Sequence, residues 1–306
     1  MNKKLIRLCF WLVMIIVVAL YIIRYSTPGK SVPVVSTQTS VPYVVTIVPP
    51  TQPVTHKVSL PLVSKSMYIS FLPFISRSTG NKLETLVWSD DFDGNQLDPD
   101  KWNIRIGAYD PDYHTKENIT IENGNLVITA RRQNLGGLHY TTGWITTKQN
   151  WLYGRFEMRA KLPTGKGLWP AFWMLSQSNV YGEGVMSGEI DIMELWGDRP
   201  QEIKGTLHYG YPWVFVSTPY DLRSGSFSNE YHVFSVEWEK DIIRWYVDGH
   251  LYKKETRWYS SGGIYPAPFD QSFYVILNVG IWRENPPDKY TIFPEQMTVD
   301  YVRVYQ

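Results

Sequence analysis

Residues 188–197 read GEIDIMELWG, and three of those ten side chains are carboxylates: Glu189, Asp191 and Glu194. The Ile, Met and Leu between them predict a β-strand, in which alternate side chains point to opposite faces. Glu189 and Asp191 then share a face. Glu194 lies three residues further on and would fall on the other one. A β-bulge near Ile192 or Met193, one extra residue, returns it to the first. The acids would then form a row along ~13 Å of backbone, four effective steps of ~3.3 Å. Glu arms leaning inward can bring the outer two carboxyls to the ~5–5.5 Å that a retaining glycosidase needs, one as nucleophile and the other as acid/base. Three neighbouring carboxyls do not all ionise cheaply, so at least one is expected to keep a proton for a leaving group. The apolar Ile190, Ile192 and Met193 suit a buried opposite face and speak against a merely solvated acid cluster; a hard-cation site is the alternative.

Aromatic side chains crowd the same region. Trp144, Trp151, Trp169, Trp173, Trp196, Tyr209, Tyr211 and Trp213 all lie within about 45 residues of the acids. Aromatic faces stack on the C–H faces of sugar rings and are cheap to hold in place. About half are expected to be core instead. Trp169 and Trp173, four apart, fit core and groove equally well by spacing. Trp196, two residues past Glu194 on its face, is expected to be a sugar platform.

The elements that must position these groups are strands. RFEMRAKL (155–162) alternates Phe156, Met158, Ala160 and Leu162 with charged residues. This is the half-buried pattern. HVFSVEWEKDIIRWYVDGHLY (232–252) predicts three strands separated by Glu-Lys-Asp and Asp-Gly turns. NLVITARR, SFYVILNVG and TVDYVRVY predict more, and no segment has a long helical period. The expected fold is all-β, a two-sheet sandwich of the jelly-roll kind over residues 83–306, with an open groove across one sheet.

Composition sets the context. Residues 1–80 hold no acid and eight Lys or Arg, while the rest holds all 29 acids against 22 bases, a net of −7. An acidic main domain excludes nucleic acid as a partner and disfavours highly sulfated polymers. The single cysteine, Cys9, leaves the domain without a disulfide or thiolate metal site. Lys3, Lys4 and Arg7 precede the apolar run Leu8–Ile23, so residues 1–25 read as a signal peptide or membrane anchor, with all that follows outside the cell or on its surface. Residues 26–82, rich in Pro, Ser, Thr and Val, read as an extended linker in which SLPLVSKS (59–66) recurs as FLPFISRS (71–78). Asn118-Ile119-Thr120 is a sequon, relevant only in a glycosylating host.

GEIDIMELWG, GLWPAFWML (167–175), GTLHYG (205–210), VWSDDFDGNQLDPDKWN (87–103) and TVDYVRVYQ (298–306) together resemble glycoside hydrolase family 16, most of all its laminarinase-type endo-β-1,3-glucanases. The resemblance implies a jelly roll that hydrolyses β-1,3- or mixed 1,3/1,4-glucan with retention and needs no cofactor for catalysis. It implies Glu189 as nucleophile, Glu194 as acid/base and Asp191 as the group between them that tunes the nucleophile. His208 would contact substrate or the acid/base, with a satisfied structural histidine as the other reading. Trp144, Trp169, Trp173, Trp196 and Trp213 become candidate sugar contacts. A structural calcium ion would sit near Asp91, the Gly124 carbonyl and Asp300. The partner would be the polysaccharide, and the domain a monomer.

The sequence also departs from the family pattern. The turn LNVGIWRENPPD (277–288) is shortened, Trp144 and Thr146 stand where Arg and Asn are common, and VYGEGVMSGEID (180–191) replaces the usual approach to the acids. These positions border the expected groove, so a galactan such as agarose, transglycosylation, or β-glucan binding without hydrolysis are the alternatives.

Overall fold

The computed structural model describes residues 85–306. The signal or anchor segment, the linker and its repeat, and the first residues of the expected domain lie outside the described residues. Two antiparallel sheets face each other. The eight-stranded sheet runs His250–Glu255, Ile242–Val247, His232–Glu239, Gly154–Lys161, Glu295–Tyr305, Asn125–Ala130 and Ile119–Glu122, with Leu86–Asp90 pairing the last residues of Glu295–Tyr305. The seven-stranded sheet runs Val214–Asp221, Glu202–Tyr209, Glu189–Leu195, Leu168–Ser176, Phe273–Ile281, Trp144–Thr147 and Trp102–Ile104. This is the expected sandwich. A third sheet of Gly107–Tyr109, Asp112–His114 and Tyr140–Thr142, the last two parallel, was not legible because its strands are only three residues long.

The alternation resolves as the pattern requires. Phe156, Met158, Ala160 and Leu162 are all buried in the core. The Asp-Gly turn joining Ile242–Val247 to His250–Glu255 has φ of 50° at Asp248 and 75° at Gly249. Two positive φ values are what a two-residue hairpin turn demands. Between the sheets Phe156, Phe234, Trp238 and Trp245 of one meet Phe172, Phe273, Ile190 and Leu277 of the other, all essentially without solvent contact. Each such side chain contributes roughly 1.5–3 kcal/mol on burial. A core of this size can carry unfavourable groups on an outer face.

The seven-stranded sheet is irregular at one place that matters. Against Glu202–Tyr209, Asp191 pairs with Thr206 and Glu194 with Lys204, so Ile192 and Met193 together oppose Gly205. Against Leu168–Ser176 the register also slips, between Phe172 opposite Met193 and Trp173 opposite Asp191. This is the expected bulge, and both of its residues are buried in the core. A Cβ on Gly205 would lie 2.5 Å from the Tyr252 hydroxyl and 2.6 Å from Trp245, so only glycine lets the other sheet close over the bulge.

The sequon is not a surface feature. Asn118 is buried and its Oδ1 accepts a hydrogen bond from Arg131 Nε at 2.9 Å.

Candidate active site

With the bulge in place, Glu189, Asp191 and Glu194 lie on the sheet face away from the core. Asp191 is buried, at 3% exposure, and the two glutamates are half-buried. Each acid has its own neighbours. Glu194 Oε1 accepts from Trp169 Nε1 at 3.1 Å, and Oε2 accepts from Thr206 Oγ1 at 3.1 Å. At the other end, His208 Nε2 is 3.0 Å from Asp191 Oδ2 and 3.7 Å from Glu189 Oε1. Trp213 Nε1 donates to His208 Nδ1 at 3.1 Å, and its ring stacks on the imidazole. That bond occupies the Nδ1 lone pair and puts the ring proton on Nε2, facing the acids. The nitrogen nearest the carboxylates is therefore a donor, which disfavours the cation site left open by the sequence.

The register explains the assignments. His208 pairs with Glu189 across the ladder, and Lys204 with Glu194. His208 thus serves the Glu189–Asp191 end and not Glu194, so of the two expected contacts, substrate or acid/base, the second is not made. Thr206 takes that place. It was missed, although it sits two residues before His208 on the same strand face, where period-two reasoning could have found it.

Crowding raises two of the three acids, as the sequence led one to expect of at least one. Burial, reinforced by the adjacent Asp191 carboxylate, pushes Glu189 up to about 8, while His208 pulls the other way. Burial and then Glu194 push Asp191 well above the usual carboxylate range, with Lys253 pulling it back. The raised pair is therefore Glu189 and Asp191, because Asp191 is the most buried of the three and Glu189 lies beside it.

Trp169 and Trp173 both belong to the groove face: alternate residues Leu168, Phe172 and Met174 fill the core, while the two indoles are half-buried. Trp173 Nε1 donates to Asn278 Oδ1 at 2.7 Å. Trp144 packs edge-on against Trp173 at 5.2 Å and lines a cavity of about 470 Å³ with Asn103, Arg105, Tyr109, Tyr274 and Glu189. The Arg105 guanidinium is held there, 4.7 Å from the Tyr109 ring and 4.8 Å from the Trp144 ring. Trp196 does not present an open face as expected. Trp282, absent from the sequence-based set, stacks on it at 5.2 Å, and Lys204 Nζ lies 3.8 Å from its ring centroid. Only part of that indole is left for a ligand. Trp151 and Tyr209 are core, and Tyr211 is 71% exposed.

The expected calcium positions lie on or beside strands of the eight-stranded sheet. On Glu295–Tyr305 the ladder to Asn125–Ala130 ends at Val299, and the ladder to Leu86–Asp90 begins at Val302. Asp300 falls in the gap, with Asp91 and Gly124 just beyond the two strand ends. The carboxylates, however, are already engaged: Asp300 Oδ2 by Arg159 Nη1 at 2.5 Å and Asp91 Oδ1 by Arg303 Nη2 at 2.6 Å. Two guanidiniums thus already balance the two acids.

An antiparallel sandwich with an acid row on a bulged strand of one open face, flanked by indoles and a histidine, defines the class of protein. The chain belongs to the glycosyl hydrolases family 16, whose profile matches residues 108–303. It is 39% identical over 257 residues to glucan endo-1,3-beta-glucosidase A1 of Niallia circulans, covering 72% of this chain but only 38% of that protein. It is 38% identical to the beta-glucanase of Rhodothermus marinus, covering 72% of this chain and 85% of that one. Among solved structures, the laminarinase catalytic domain from Thermotoga maritima MSB8 matches at a TM-score of 0.64 and 37% identity, over 73% of this chain and 98% of that one.

Proposed function

We propose that the chain is an endo-acting, retaining β-1,3-glucanase, with mixed 1,3/1,4-glucan as a related substrate. The observation that carries this reading is the bulge at Ile192–Met193, which puts Glu189, Asp191 and Glu194 on one face beside the cavity edged by Glu189. The relatives named above, a glucan endo-1,3-beta-glucosidase and a laminarinase among them, support the substrate class.

In the proposed cycle, Glu189 attacks the anomeric carbon as a carboxylate, forming a glycosyl ester. The leaving oxygen takes its proton from Glu194, which Trp169 and Thr206 hold in place. Glu194, now ionised, takes a proton from water, and that water displaces Glu189 from the anomeric carbon. Two inversions give net retention. Asp191, beside Glu189 on the same face, holds the pair's shared proton while Glu189 is ionised. The cavity beyond Glu189, walled by Trp144, Trp173, Tyr109 and Arg105, takes the sugars on the nucleophile side. No cofactor enters these steps. The domain acts as a monomer outside the cell or tethered to its surface.

The test is to incubate the full chain, beside its Glu189→Gln variant, with laminarin, mixed-linkage β-glucan, agarose and carrageenan, and to size the products. Short glucan oligosaccharides from laminarin, with the intact protein only, are expected. Cleavage of a galactan in preference would move the substrate assignment, and binding without cleavage of any polymer would remove the catalytic reading.

Calcium belongs to this proposal as a structural ion at Asp91, the Gly124 carbonyl and Asp300. Added calcium is expected to raise Tm while leaving kcat unchanged, and a chelator to reverse it. An unaltered Tm would remove the ion and leave the two arginines as the permanent partners of Asp300 and Asp91.

A further inference from the structure

A lysine lies behind the acid row, on the core side of the sheet. Lys253, on strand His250–Glu255 of the opposite sheet, has a side chain only 1% exposed. Its Nζ donates to the carbonyl of Gly205 at 3.1 Å and to the carbonyl of Val216. Gly205 is the residue opposite the bulge. The ammonium also lies 4.6 Å from the Trp245 ring centroid, and Trp245 Nε1 donates to the backbone carbonyl of Asp191 at 2.8 Å. The two side chains thus fasten the bulged strand and its neighbour from inside the sandwich.

Fastening alone does not need a cation. A charged lysine is almost never fully buried without a partner, because desolvation disfavours the ammonium. Its one ion-pair contact among the described residues is Glu255, half-buried at 3.9 Å. The other large anionic source is the acid row, a single backbone layer away. Burial lowers Lys253 to about 8, with Glu255 and then Asp191 pulling it up, and Lys253 in turn draws Asp191 down. At neutral pH the lysine is therefore mostly charged.

We propose that Lys253 is a positioning residue of the active site, whose buried positive charge, held against the Gly205 carbonyl behind the bulge, limits how tightly the Glu189–Asp191 pair holds protons. The inference rests on the catalytic reading given above. Without the cation, a pair already raised by burial would take up a second proton at higher pH, and Glu189 would lose its ionised form where the enzyme works. Other titratable groups face the row: Glu194 on the same strand, His208 and Lys204 on Glu202–Tyr209, Tyr252 and Glu255 beside Lys253, and Tyr274 on Phe273–Ile281. Among these, Lys204 lies at the Glu194 end and His208 on the groove face, so Lys253 is the cation placed to act on Asp191 from the core.

The experiment combines three variants with two readouts. In Lys253→Met, the acid limb of kcat/KM on laminarin is expected to move up by about one pH unit, a roughly tenfold loss on that limb, with KM little changed. Lys253→Arg, which keeps the charge, should retain the wild-type midpoint. Reduced activity with an unmoved limb would make Lys253 merely structural. The third variant, Asp191→Asn, removes the carboxylate charge that attracts the ammonium without changing shape. By reciprocity it should lower the titration midpoint of the Lys253 ammonium, followed by NMR of the side-chain nitrogen. An unmoved midpoint would overturn the proposal even if Lys253→Met did not fold. This readout needs no turnover, so a protein that hydrolyses nothing would fail the functional reading while the coupling of Lys253 to the acids was still decided.

Discussion

Glu189→Gln and Glu194→Gln are each expected to lower kcat on laminarin by roughly a thousandfold or more while leaving the fold intact, since neither side chain fills the core. The two losses differ in kind. Without Glu189 no glycosyl ester forms, and every substrate is affected alike. Without the proton of Glu194, substrates whose leaving groups need no protonation, such as activated aryl glucosides, should still form the ester. Azide separates the roles more sharply. In Glu189→Ala the anion can enter the vacated space and attack the anomeric carbon directly, which gives a glycosyl azide of inverted configuration. In Glu194→Ala azide replaces water in the second step, and the product keeps the β configuration. The opposite pairing of products would exchange the two assignments, and full activity in either Gln variant would end the mechanism.

The same Glu189→Gln change should make the protein more stable, and only in one pH range. Glu189 moves from an ordinary value of 4.5 to about 8 in the fold, with burial as the first cause and Asp191 as the second. The folded state therefore holds a proton that the unfolded chain has released. Stability from this group is fully present below about 4.5 and is lost progressively as pH rises towards about 8. Above that, wild type carries a buried anion at a cost on the order of a few kcal/mol, which Gln does not carry. The Tm of the variant should exceed that of wild type by several degrees at pH 8.5, and the gap should close by pH 4.5. Equal gaps at both pH values would mean that Glu189 is not held in a desolvated, acid-flanked position. Stability given up at a site needed for catalysis is the general trade between the two.

Much of this was legible because the physics is local. The 2-then-3 spacing of the acids demanded a bulge, and Ile192 and Met193 supply it. The alternation in residues 155–162 and the turns in 232–252 were equally direct, since period and turn chemistry need only neighbours in sequence. Contacts made across the sheet were harder. Trp282, just past the strand Phe273–Ile281, covers Trp196, and Lys253 reaches Gly205 from a distant strand, and no local pattern reveals either contact. Trp169 and Trp173 stayed ambiguous for a different reason: a groove and a core both accept aromatic rings, so burial was needed to decide. The histidine was recognised, but its partner depended on pairing with Glu189 rather than Glu194. Which acids are raised was not legible, because it depends on burial depth, which alternation does not encode.

The bulge can also be counted in codons. Deleting Met193 would leave Glu189, Asp191 and Glu194 at regular alternation, still on one face, because the bulge inserts a single residue into a period of two. A chain with the insertion and one without it therefore carry the same acids in the same order on the same side. No intermediate sequence has to place an acid in the core. What the deletion would alter is the pairing of the strand with Leu168–Ser176 and Glu202–Tyr209, and with it the place of Trp196 along the groove. A lineage could thus change how its groove meets a polymer by one insertion or deletion, without passing through a form that has lost its acid row.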